Sequence, residues 1–169
     1  VNYLVNEDFA STNNMASMYV GRQFNADEPF LYLHADLWYD PEVIQIASRQ
    51  GGDIVFLVEE KLCGDEEMKV RVDNGYVKEA DKAIPPLDSY GEWLGITKFE
   101  PQGADVFFDE VERTLSHSRE LYDCAVVRGL AERGVAIEYA DIGRLPWVEI
   151  DFHEDLERAR SLARLEEQG

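Results

Sequence analysis

The chain has 169 residues, 45% of them hydrophobic, and a formal net charge of −19. This length and composition suit one globular domain with a real core and exclude a disordered chain. The acidic balance argues against nucleic acid and anionic membranes as partners, and no apolar run is long enough to read as a membrane-spanning helix. An acidic protein that handles phosphates needs a cation between itself and its substrate, which favours a divalent metal over a Lys/Arg clamp. Cys63 and Cys124 lie far apart without metal-ligand spacing. They read as free buried thiols of a cytoplasmic protein that carries no signal peptide.

The chain opens on Tyr3-Leu4-Val5, which predicts a short strand. An opening inside a core strand leads us to expect a single partial domain over 1–169. A polar loop rich in N-cap residues leads into a helix predicted over 14–24 by the spacing of Met15, Met18 and Tyr19. Asn25-Ala26-Asp27-Glu28 is expected to stop it. Residues 30–35 then form a short apolar run that ends abruptly at Asp36. This pattern predicts a buried parallel strand delivering a carboxylate at its C-terminal end, where ligands bind in open α/β sheets. An Asp that merely caps the next turn fits Asp36 equally well. His34 beside it could touch a ligand, but a structural histidine is favoured.

Asp40-Pro41 opens a second helix that Gly51-Gly52 stops. The run IVFLV within 53–59 is a second buried strand. Alternation of strands and helices argues for a parallel sheet covered by helices. Two alternating runs, 69–73 and 76–79, flank Asn74-Gly75, a strong hairpin signal. Residues 93–99 form a further strand in which Gly95 marks a bulge or close approach. Helices over 102–115 and 120–133, strands at 136–140 and 147–150, and a helix over 153–165 complete the chain. The charged tail after Leu165 is expected to fray. The fold class is α/β, with a mixed, mostly parallel sheet and helices on both faces.

A second strand end carries Glu149 and Asp151, which alternation places on one face. Two strand-end carboxylates from distant parts of a chain suit one shared Mg²⁺ bridging nucleotide phosphates. The competing reading makes Asp151 a helix cap.

Five segments occur in an order that resembles a known family: NEDFASTNNMAS (6–17), LHADL (33–37), EEMKV (66–70), GEWLGI (91–96) and LPWVEIDFHEDLERA (145–159). They resemble the nucleotidyltransferases of the sugar-nucleotide pyrophosphorylase superfamily, nearest to the cytidylyltransferases that activate phosphocholine or phosphonates. The resemblance implies that Asp36 and Asp151 bind the catalytic Mg²⁺, with Glu149 as a nearby acid. It implies that Asn13 and Asn14 open a helix facing the nucleotide. It also implies a reaction of CTP with a phosphorylated or phosphonate acceptor, releasing pyrophosphate. Met68 stands where the choline branch holds an aromatic residue, which argues against a trimethylammonium acceptor. Tyr122 and Asp123 match an aromatic–acid pair near the acceptor; a core Tyr and a surface Asp fit as well. Lys69 could reach a substrate phosphate, or be an exposed strand lysine. Trp93 reads as a pocket wall or core residue.

The family's glycine-rich nucleotide loop, with its basic residues, has no counterpart in this sequence. Poor or absent catalysis by the chain alone is therefore expected. An apolar strand edge at 30–35 is expected to lie open, leading to a homo-oligomer through that edge or to a segment supplied by another polypeptide. The alternative to an enzyme is a non-catalytic binding or self-association module. A metal-dependent glycosyltransferase would want an Asp-x-Asp, which His34-Ala35-Asp36 does not supply.

Overall fold

The apolar run at 54–58 becomes the middle of the structure. The computed structural model describes residues 1–24 and 27–166. Among these, the strands are β1 (Phe30–Leu33), β2 (Leu37–Tyr39), β3 (Ile54–Glu60), β4 (Lys69–Asp73), β5 (Tyr76–Asp81), β6 (Gly91–Phe99), β7 (Glu138–Asp141) and β8 (Trp147–Glu149). The helices are α1 (Asn14–Val20), α2 (Glu42–Arg49), α3 (Pro101–Leu115), α4 (Val127–Glu132) and α5 (His153–Glu166).

The main sheet has six strands in the order β5-β4-β6-β3-β7, with β1 also paired to β6; β2 and β8 form a separate pair. β1, β3 and β4 run antiparallel to β6, and β7 runs parallel to β3. The class is mixed α/β as the sequence implied, but the sheet is not mostly parallel in its pairings. β1, β3, β4 and β7 point one way, yet the oppositely directed β6 stands between them, so only the β3–β7 contact is parallel.

Successive residues of β3 alternate between two cores, as a strand covered on both faces requires. Ile54, Phe56 and Val58 join Trp93, Phe99 and the apolar faces of α1, α3 and α4. Val55 and Leu57 join Leu94, Ile96 and the α2 residues Val43 and Ala47 on the other side. Each large side chain buried this way contributes roughly 1.5–3 kcal/mol. The hairpin forms as expected: Asn74 (φ 50) and Gly75 (φ 81) supply the paired positive φ angles of a tight turn. Gly95 (φ 73) lies where the β3–β6 register shifts between Phe56 and Val58, the expected bulge.

Four expectations are corrected. Residues 3–5 form no strand: Tyr3 is 85% and Val5 73% exposed. They find no ladder partner among the described residues. β1 is half-buried and antiparallel, because its partner is β6. The strand expected over 30–35 also ends at Leu33, two residues short, with one further hydrogen bond from the His34 N–H to the Gly95 carbonyl at 3.0 Å. The helix expected over 120–133 starts late, as a short turn at Asp123–Val126 followed by α4. Tyr122 is extended (φ −68, ψ 152), and the Asp123 N–H donates to Asn14 Oδ1 at 2.9 Å, which fixes a non-helical entry. Asn25 and Ala26, expected to help stop the first helix, and residues 167–169 of the charged tail lie outside the described residues.

Candidate functional site

Two chain junctions meet at one corner of the sheet. β1 leads through His34 and Asp36 into β2; β8 leads through Asp151 into α5. β2 and β8 pair with Leu37 opposite Glu149, and the Ile150 N–H extends the ladder to the Asp36 carbonyl at 2.8 Å. Backbone hydrogen bonds thus bring acids that are remote in sequence to one place.

There a cavity of about 260 Å³ is lined by Asn14, His34, Asp36, Met68, Lys82, Trp93, Gly95, Tyr122, Asp123, Glu149 and Asp151. Eight residues singled out from the sequence line it together: Asn14, Asp36, Met68, Trp93, Tyr122, Asp123, Glu149 and Asp151. Asn13 and Lys69 do not. Asn13 Oδ1 caps α1 by accepting from Asn14 N, and its Nδ2 donates to the Glu120 carbonyl. Lys69 is buried, and its ammonium donates to the carbonyls of Gly64, Asp65 and Glu67 at 2.8, 3.2 and 3.2 Å. All three protons of the ammonium are engaged in holding that loop, so none is left for a substrate phosphate. A larger, more open groove of about 540 Å³ continues from Glu149 and Asp151 past Lys61, Glu92, Trp147 and Arg158.

One wall of the cavity is buried and closed by hydrogen bonds. Asp123 is 1% exposed. Its carboxylate accepts from the Tyr32 hydroxyl at 2.6 Å and from Cys124 N at 2.9 Å, and lies 2.9 Å from His34 Nε2. Burial, then Asp123, push the Tyr32 hydroxyl far above the usual tyrosine range, so it stays a donor. The His34 ring packs edge-on against Tyr32 and Trp93, with centroids 5.6 and 5.1 Å away. Trp93 is anchored in turn by its indole N–H to the Ile96 carbonyl and by stacking on Phe56. Gly95 makes room for the histidine: a Cβ there would lie 2.7 Å from the imidazole. Burial opposes a charge on His34, but Asp123 and Glu149 outweigh it and push the pKa up to about 10.

Beside it stand three acids, Asp36, Glu149 and Asp151, with Lys82 also lining the cavity. Burial, then the negative charges of Glu149 and Asp36, hold the Asp151 carboxyl above its usual range. Asp155 Oδ2 accepts from the N–H groups of Asp151 (3.3 Å) and Phe152 (2.9 Å), so capping of α5 falls to Asp155. Asp40 likewise takes the Glu42 N–H at 2.8 Å at the start of α2. Asp36 and Asp151 are spared both capping tasks. Donor atoms of His34, Asp36 and Glu149 lie within 4.8 Å of one another, a set that fits a divalent cation.

Three lining residues, His34, Lys82 and Gly95, were not selected from the sequence as ligand-binding. His34 is held by tertiary contacts that no local pattern announces. Lys82, just past β5, places its ammonium 5.9 Å from the Tyr122 ring centroid and 3.9 Å from Glu66. Its sequence neighbourhood carries no signal for that.

No family model matches the chain. An inositol-1-phosphate CTP transferase from T. maritima superposes with a TM-score of 0.76 at 19% identity, covering 96% of this chain and 65% of that one. The fold is that of the nucleotidyltransferases. The CTP:phosphocholine cytidylyltransferase from Streptococcus pneumoniae shares this nucleotidyltransferase fold at a TM-score of 0.68 and 17% identity, with 96% of this chain and 69% of that one covered. In sequence, a CMP-5′-(3-aminopropyl)phosphonate synthase of Streptomyces rubellomurinus is 28% identical over 169 residues. The match takes in 94% of this chain but 27% of that protein.

Proposed function

We propose that the chain provides the metal- and acceptor-binding part of a nucleotidyltransferase that moves a cytidylyl group from CTP to a small phosphonate or phosphorylated acceptor, with release of pyrophosphate. The carrying observation is the convergence of Asp36, Glu149 and Asp151, from two distant chain junctions, on one cavity. In this reading Asp36 and Asp151 hold Mg²⁺, with Glu149 beside them. The ion supplies charge neutralisation and alignment of phosphate oxygens for in-line attack. Tyr122, Met68 and Trp93 wall the acceptor, and Asn14 and Lys82 offer polar contacts at the rim. Asp123 is filled by Tyr32, His34 and its own chain, so it positions the wall while Tyr122 meets the acceptor.

An acid-rich cavity favours an acceptor bearing an amine. Met68 in place of an aromatic favours a primary amine over a trimethylammonium group. The aminopropylphosphonate in the name of the Streptomyces relative supports this choice. The nucleotide cradle would come from sequence other than these residues. The chain alone would then turn over roughly a hundred- to a thousandfold more slowly than a complete site, the usual cost of one lost electrostatic clamp.

Calorimetry with CTP in the presence and absence of Mg²⁺ tests the reading, followed by pyrophosphate release with an aminoalkylphosphonate. Metal-dependent CTP binding with slow release is expected. Absence of CTP binding with the metal present contradicts it. One observation favours a second reading as a self-association module: among the described residues β1 pairs on one side only, and Leu33 at its end is 36% exposed. An unpaired strand edge is a template for a second copy. A dimer mass by light scattering together with absent CTP binding is the result that reading expects; a monomer at high concentration contradicts it.

A further inference from the structure

The chain has three histidines, and among them His34 lines the cavity. Its Nε2 lies 2.9 Å from Asp123 Oδ2, the oxygen that also accepts the Tyr32 hydroxyl. A carboxylate there can only accept, so Nε2 carries a proton. Wedged by Tyr32, Trp93 and the space at Gly95, the ring has one orientation. Nδ1 is left facing the acids, with Glu149 Oε1 3.9 Å away. A metal-binding histidine usually donates its remote N–H to a carboxylate or carbonyl, which fixes the tautomer and raises ligand basicity. Asp123 stands in that outer position.

We propose that His34 Nδ1 is a further ligand of the divalent cation, beside Asp36 and the acids at the end of β8, Glu149 and Asp151, making a mixed nitrogen–oxygen site that prefers a first-row transition ion such as Mn²⁺ over Mg²⁺. This rests on reading the cavity as a metal site, and not on which nucleotide or acceptor it serves. Oxygen donors alone suit Mg²⁺; an imidazole nitrogen shifts preference toward transition ions. Ligand bonds of about 2.0–2.2 Å put two donors on one ion roughly 3–4 Å apart. The His34–Glu149 spacing already falls there, and the exposed Asp36 side chain is free to adjust.

The test uses the 169-residue chain, Mn²⁺ and no nucleotide. Pulsed electron paramagnetic resonance reads whether ¹⁴N of an imidazole couples to bound Mn²⁺, and competition with Mg²⁺ reads preference. Expected are a nitrogen coupling in the wild type, its persistence in the His117→Gln/His153→Gln variant, and its loss in His34→Gln. Mn²⁺ is expected to bind about tenfold or more tightly than Mg²⁺, with that preference shrinking in His34→Gln. Bound Mn²⁺ without nitrogen coupling overturns the proposal. So does absent Mn²⁺ binding, or a coupling that survives His34→Gln. The wild-type and His117/His153 measurements decide even if His34→Gln fails to fold. A nitrogen coupling with no CTP binding would leave the metal site standing while the nucleotidyl-transfer reading falls.

Discussion

The two walls of the cavity use acidic residues in opposite ways. Asp123, on the closed wall, is buried and its carboxylate is filled by Tyr32, His34 and the Cys124 N–H. Asp36, Glu149 and Asp151, on the open wall, line one cavity, and burial, then the charges of Glu149 and Asp36, raise the pKa of Asp151. A buried acid whose two oxygens both accept hydrogen bonds fixes the shape of its surroundings. A group of acids brought together at a cavity attracts a cation. The closed wall is therefore expected to contribute stability, and the open wall affinity.

Substitutions separate the two contributions. Asp123→Ala strands the Tyr32 hydroxyl and His34 N–H in a buried place and should cost about 3 kcal/mol in urea unfolding. Asp36→Ala should move stability by less than about 0.5 kcal/mol. It should lower Mn²⁺ or Mg²⁺ affinity, read by calorimetry, at least about tenfold, as losing a ligand costs no less than losing its outer partner. If Asp36→Ala unfolds the protein while Asp123→Ala does not, the comparison is reversed. Gly95→Ala probes the seam between the walls. It forces an alanine to φ 73 and puts a methyl group 2.7 Å from the His34 ring, an expected loss of about 1–2 kcal/mol. Gly51→Ala has open space and no positive φ, and serves as the near-neutral control in the same unfolding assay.

What the sequence made legible follows the range of the physics involved. Asp36 and the Glu149–Asp151 pair stand at strand ends, where a short apolar run breaking into acids is a local signature. Asn74-Gly75 is equally local, and its turn formed as read. The resemblance to cytidylyltransferases, and not periodicity, brought in Met68, Tyr122 and Asp123. Non-local pairing stayed hidden. β6 enters the sheet from far along the chain and reverses the pairings that strand–helix alternation implied. Alternation made Lys69 look like an exposed strand lysine, but the carbonyls of the preceding loop fold over its ammonium. Helical spacing through Asp123 was outweighed by its hydrogen bonds to Asn14, Tyr32 and His34, which come from other elements.

The smallest expected effect lies in the adjoining groove. Burial works against the Lys61 charge, but Glu92 and Glu59 outweigh burial and raise its pKa. A folded-state pKa above the unfolded one means a contribution that is complete below about pH 10.4. It is lost as pH rises further, through the folded value. Lys61→Met should flatten that alkaline loss of melting temperature and leave the cavity's metal affinity unchanged.

Diffraction from crystals soaked in MnCl₂, recorded at a wavelength where manganese scatters anomalously, tests the central claim most directly. One anomalous peak is expected in the cavity, about 2.2 Å from carboxylate oxygens of both the β1–β2 junction, at Asp36, and the β8–α5 junction, at Glu149 or Asp151. A saturating soak that leaves the cavity without a peak, or a peak touching acids from one junction alone, would contradict the account.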